Sequence, residues 1–131
     1  MSINELFIPV SIAEAVDKIS ILKLKCQNCE AEKSKLAQLE LDSLIAVWQQ
    51  SGLNPPESLH DWPALLEVNS SLWLLEERIR EHEVKQSFGP DFVQLARAIY
   101  QLNDQRSELK RSINQRLGSR LQEVKSYSTL S

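Results

Sequence analysis

The sequence predicts an all-α protein, a four-helix, bundle-like domain built on a long antiparallel C-terminal helical hairpin. Three observations point there. Leu, Glu, Lys, Gln, Arg and Ala dominate the chain while glycine occurs only three times, a composition that favours helix over tightly turned sheet. Apolar residues recur at three- and four-residue intervals in four separate stretches, and proline with glycine interrupts the later gaps between them. The 131 residues carry no long polar linker, so a single domain over 1–131 is expected, long enough to bury its own core.

Residues 1–10 end in Ile8-Pro9-Val10 and read as an extended lead-in, because proline disfavours helix in the residue before it. Ser11 and Glu14 then form a capping box. Ser11 can accept from the third backbone amide of the new helix while Glu14 reaches back, which starts the first helix at Ile12 and carries it to about Asn28. Its apolar face gathers Ile12, Ala15, Val16, Ile19, Leu22 and Cys26, widened by Ala13, Ile21 and Leu24. Lys23 falls in the middle of this face and Asp17 between Ala13, Ile21 and Leu24, so neither charge has an easy solvated position if helices cover both sides. The plainer alternative for each is an exposed or snorkelling side chain. Glu30 to Gln50 reads as the second helix, stopped by Ser51-Gly52, and Asn54-Pro55-Pro56 breaks it firmly before a loop that runs to His60.

The third helix, Trp62 to about Lys85, has Asp61 as N-cap and Pro63 in its first turn. It repeats Leu65, Val68, Leu72, Leu75 and Ile79 at heptad-like spacing. The connection Ser87-Phe88-Gly89-Pro90 is short, which makes its flanking helices antiparallel neighbours, and the fourth helix extends from Pro90 to Leu117 with Gly118 as its stop. In such a hairpin, residues whose numbers sum to about 175 lie side by side.

Polar residues contaminate both seams. Asn69, Glu76, Arg80 and Glu83 project within about a third of a turn of the first seam. Asn103, Arg106, Lys110 and Asn114, with Asp104 next to them, recur beside Ile99, Leu102, Leu109, Ile113 and Leu117 in the second. The register sets Asn69 near Arg106, and Arg106 has the length to reach Glu76 or Asn69. The candidate ligand-binding site is therefore a polar layer of Asn69, Glu76, Arg80, Asn103, Asp104, Arg106, Lys110 and Asn114 inside the hairpin. The competing reading makes Glu76 and Arg80 a simple i,i+4 pair contributing about 0.3 kcal/mol and the rest a buried ion network that needs no ligand. Residues 118–131 read as a tail with Leu121, Val124 and Tyr127 available to dock.

Other chemistry is poorly supplied. The net charge of −3 comes from interspersed acids and bases, so no basic field would gather nucleic acid. No phosphate-cradling glycine loop is present, His60 and His82 lack partners at metal-binding spacing, and neither metal nor cofactor is expected. Cys26 and Cys29 spell C-x-x-C inside a helical pattern with no second pair, which favours two half-buried thiols over a zinc or redox site. The apolar run Leu6-Phe7-Ile8 is too short for a secretory segment or a membrane span, so a cytoplasmic protein is expected. The acids Glu76, Glu77, Glu81 and Glu83 invite comparison with the magnesium-binding helices of all-α nucleotide pyrophosphatases, but Arg80 occupies the inward slot between them. Chorismate-mutase-like bundles, which hold a dianion between helices with buried cations, are a second comparison. Arg80, Arg106 and Lys110, with Lys18, Lys23 or Lys25 as a fourth, supply the ingredients without a fingerprint.

A longer pattern joins these positions. Ile8-Pro9-Val10-Ser11, Asp17-Lys18-Ile19 and Ile21-Leu22-x-Leu24-Lys25 open it, and Leu72-Trp73 with Glu76 and Arg80 continue it. Ala96-Arg97-x-x-Tyr100-x-x-Asn103-Asp104-x-Arg106-x-x-x-Lys110-x-x-Ile113-Asn114 and Gly118-Ser119-x-Leu121-x-Glu123-x-Lys125-Ser126-Tyr127 complete it. The whole resembles a family of small uncharacterised all-helical bacterial proteins, a domain of unknown function often encoded near surface-polysaccharide or lipopolysaccharide genes. The chain departs from that family at Lys23, where an acid is more usual. The resemblance implies no mechanism; it marks the inward polar positions again and adds the tail motif around Lys125 to Tyr127, and Asp17, Lys18, Lys25, Lys125 and Tyr127 stand as secondary candidates.

Two functions follow as expectations. One is a non-enzymatic binding or scaffolding module, accessory to surface-polysaccharide assembly, with a protein partner or a homodimer face at apolar positions such as Trp48 or Leu74. The other is a small-anion site in the polar layer, conceivably catalytic, for a phosphorylated sugar, a nucleotide sugar or a dicarboxylate.

Overall fold

The computed structural model describes residues 3–125. They form four helices, α1 (Ile12–Asn28), α2 (Ala31–Gln50), α3 (Trp62–Val84) and α4 (Pro90–Leu117), with a short 3₁₀ turn at Pro56–Ser58, and the described residues contain no strand. The fold is the all-α, four-helix architecture expected, and the boundaries of α1 and α4 are those read from their caps. Glu30 stands just outside α2 rather than inside it, because its carboxylate accepts from the Lys33 amide at 3.2 Å and so acts as the N-cap. Gly118 ends α4 at φ 67°, a left-handed conformation that glycine adopts without the strain a Cβ would bring.

The core joins Val16, Ile19 and Leu22 of α1, Ala37, Leu41 and Trp48 of α2, Trp62 and Leu65 of α3 and Ile113 of α4. Helix α2 packs on α1, and α1 in turn packs on both members of the α3–α4 hairpin, so α2 reaches the hairpin chiefly through α1. The hairpin keeps the expected register. Asp61 meets Ser112 at 3.0 Å and the rings of His82 and Phe92 lie 6.3 Å apart, pairs whose numbers sum to 173 and 174. A second cluster of Val68, Leu72 and Ile99, flanked by Leu75, Ile79 and Leu102, fills the hairpin beyond the base that α1 covers.

Three local expectations change. Trp48 is buried and donates its indole N–H to the Asn54 carbonyl at 2.9 Å, so it is core and loop anchor rather than an exposed face; Leu74 is exposed. Asp61 occupies the N-cap position of α3 but makes no capping bond. Its carboxylate turns across the hairpin to the Ser112 hydroxyl and, at 3.3 Å, to Arg116. Half of the capping box of α1 forms: Ser11 accepts from the Glu14 amide at 3.1 Å, while the Glu14 side chain turns to Lys110.

The first turn of α1 is instead completed from the far end of the chain. The Ile12 amide donates to the Ser119 hydroxyl at 3.1 Å and the Ala13 amide to Asn114 Oδ1 at 2.8 Å. Two of the amides that a helix start leaves without internal partners are thereby satisfied by residues more than 100 positions away. Asn114→Ala should strand the buried Ala13 N–H and lower the unfolding free energy by about 2 kcal/mol in urea titration.

Candidate functional site

Asp17 is the centre of the polar cluster. It lies on the face of α1 turned to the hairpin, with 1% of its surface exposed, where an unpaired carboxylate would carry a large desolvation penalty. Four groups meet it. Arg106 Nε lies 3.0 and 3.1 Å from the two carboxylate oxygens, and Arg106 Nη2 closes a two-pronged contact on Oδ2. Asn69 Nδ2 donates to Oδ1 at 2.9 Å and also to the Ser20 hydroxyl at 2.7 Å, which itself donates to the Asp17 backbone carbonyl at 2.7 Å. Lys110 Nζ stands 3.9 Å from Oδ2.

Lys110 links this centre to the chain's C-terminal segment. Although its side chain is 8% exposed, its ammonium lies 2.7 Å from Glu14 and 2.7 Å from Glu123. Nearby, the Lys125 ammonium reaches the buried carboxylate of Asp104. Among the described residues the segment after Gly118 is thus held by Ser119, Glu123 and Lys125, while Leu121 is half-buried and Val124 is 87% exposed. Tyr127 lies outside the described residues.

The electrostatics follow from these contacts. The hydrogen bonds from Arg106 to Asp17 outweigh the effect of burial and raise the guanidinium above its already high ordinary value. Burial works against the charged Lys110, but its hydrogen bonds to Glu123 and Glu14 more than compensate and its pKa is raised. At neutral pH both groups are cations held by carboxylates.

The expected layer is therefore only partly assembled. Asn69 and Arg106 do lie opposite one another, but they meet on Asp17 of α1 rather than on each other or on Glu76. Lys110 and Asn114 also face α1, Asp104 is buried beneath the docked segment, and Asn103 is half-buried. Glu76 and Arg80 are not in the layer. Their side chains are 48% and 81% exposed and 3.9 Å apart, the simple i,i+4 pair. The physical reason is cover: beyond the base of the hairpin only two helices face each other, so positions a third of a turn from the seam look into solvent. Lys18 forms an exposed pair with Glu40 at 2.9 Å and Lys25 is exposed. Lys23 snorkels over the Trp62 ring, 5.6 Å from its centroid, to Glu57, and its hydrogen bond lowers the Glu57 pKa. Cys26 and Cys29 are half-buried free thiols.

Sequence reasoning passed over Ser20, Glu14 as an ion-pair partner, Ser119 and Glu123. Glu14 shares a helix face with Asp17 three residues on, a signal its capping reading concealed; Ser119 and Glu123 carried a signal only as part of the Gly118 to Tyr127 motif. No family model matches this chain, and neither do the curated proteins nor the solved structures.

Because the folded Lys110 pKa is raised above the ordinary 10.5, its stabilising contribution is complete below that pH and is lost as pH rises through the higher folded value. Urea titrations across the alkaline range should show a loss of stability above about pH 10.5 that Lys110→Arg, still charged there, reduces.

Proposed function

We propose that this chain is a non-enzymatic binding or scaffolding module of the cytoplasm, in which the Asp17 cluster serves as an internal clasp. The observation that carries this reading is saturation. Among the described residues, no buried side-chain nitrogen or oxygen lacks a hydrogen-bond partner, and each cation at the centre already holds carboxylates of the same chain. An anion entering the cluster would have to displace Asp17, Glu14 or Glu123.

The space available supports the same reading. The cavity beside Lys110, lined in part by Ser107, Asn114, Gln122 and Lys125, measures about 20 Å³, room for about one water molecule rather than a sugar phosphate or dicarboxylate. Larger hollows of about 540 and 560 Å³ lie elsewhere on the hairpin, one lined by residues such as Arg78 and Leu95 and the other by residues such as Ala64 and Leu102. The resemblance to helical proteins encoded near surface-polysaccharide genes supplies the proposed setting, an accessory to assembly of such polymers.

Arg106→Met separates clasp from ligand site. As a clasp residue its loss leaves Asp17 buried with too few partners, which should cost about 3 kcal/mol and lower the melting temperature by roughly 10 °C. A thermal-shift screen with phosphorylated sugars, nucleotide sugars and dicarboxylates should leave the wild-type melting temperature unchanged. A concentration-dependent rise that Arg106→Met abolishes would instead establish an anion site.

A further inference from the structure

Helix α2 has two apolar faces, and the described residues bury only one of them. Ala37, Leu41 and Trp48 enter the core, whereas Leu36, Leu39 and Val47 are 68%, 70% and 46% exposed. By the helical wheel the second set forms a stripe about a third of a turn from the first, with Ser43 on its line. Ser43 is also where the N-terminal arm touches α2, its hydroxyl donating to Glu5 at 3.5 Å. The arm contributes Ile3, Leu6, Phe7 and Ile8, each more than 70% exposed. The arm therefore meets the stripe at Ser43, with its apolar residues exposed beside it. At roughly 100 Å² per exposed apolar side chain they offer roughly 700 Å², close to the roughly 800 Å² that each partner contributes to a stable interface.

Two lysines and two acids beside the stripe are arranged in complementary order. Lys33 and Lys35 precede the midpoint between Leu36 and Leu39, and Glu40 and Asp42 follow it. A two-fold axis at that midpoint sets two α2 helices antiparallel, with Leu36 of each against Leu39 of the other. Lys35 and Asp42 lie on one flank of the stripe, so Lys35 of each copy faces Asp42 of the other to within about half a turn, while on the opposite flank Lys33 approaches Glu40, which Lys18 of its own chain already holds at 2.9 Å. We infer that this chain forms a symmetric homodimer through antiparallel pairing of its α2 stripes, with each N-terminal arm extending the contact. The face contains none of the clasp residues, so the inference stands apart from the proposed function.

Light scattering coupled to size exclusion, on the full chain at tens of micromolar, tests it. The wild type should have twice the 15.0 kDa chain mass. Leu39→Glu, at a position exposed in the monomer, should give single chains with an unchanged helical circular-dichroism spectrum. Lys35→Glu should weaken dimerisation at least ten-fold, and Lys35→Glu combined with Asp42→Lys should restore it. A wild type of single-chain mass, or a dimer indifferent to Leu39→Glu, overturns the interface. A Lys35→Glu loss that the double variant does not recover overturns the antiparallel register.

Discussion

A buried carboxylate dictates how this chain closes. Asp17 sits on a helix whose other faces carry core residues, and its burial is tolerable only if cations and hydrogen-bond donors are brought to it. The hairpin supplies them from both members, Asn69 from α3 and Arg106 and Lys110 from α4. The directional contacts at Asp17 admit one placement, as polar groups buried in a core can do.

The same placement organises the ends of the described chain. Once Asp17 fixes α1 on the base of the hairpin, the first turn of α1 lies against the end of α4, where Asn114 and Ser119 complete its amides. Lys110, held from one side by Glu14, then presents its remaining donors to Glu123. Clasp, helix cap and docked C-terminal segment are thus successive consequences of one buried charge. Beyond the reach of α1 the hairpin reverts to a two-helix pair with a thin apolar seam and solvated flanks.

Much of this was legible in the sequence, for identifiable reasons. Caps and glycines placed the helices because their effects are local: Ser11, Pro90 and Gly118 act within a turn of themselves. The short connection before Pro90 fixed the hairpin register, and with it the opposition of Asn69 and Arg106. What failed was the third dimension. Helical periodicity marks a side chain as lying toward a seam without saying how far the covering helix extends, so Glu76 and Arg80 were grouped with residues that α1 covers. Periodicity also left open which carboxylate Arg106 would meet, although Asp17 had already stood out as a charge without a solvated position. The route of the C-terminal segment was least legible, since among the described residues it is pinned by the polar groups of Ser119, Glu123 and Lys125.

Asp17 and Arg106 stabilise one another as a pair, and a double-mutant cycle measures that directly. Unfolding free energies of the wild type, Asp17→Asn, Arg106→Met and the double variant give the coupling between the two side chains. A two-pronged contact between half-buried Arg106 and the buried Asp17 carboxylate predicts a coupling of about 2 kcal/mol or more. Additivity within about 0.5 kcal/mol would contradict the account.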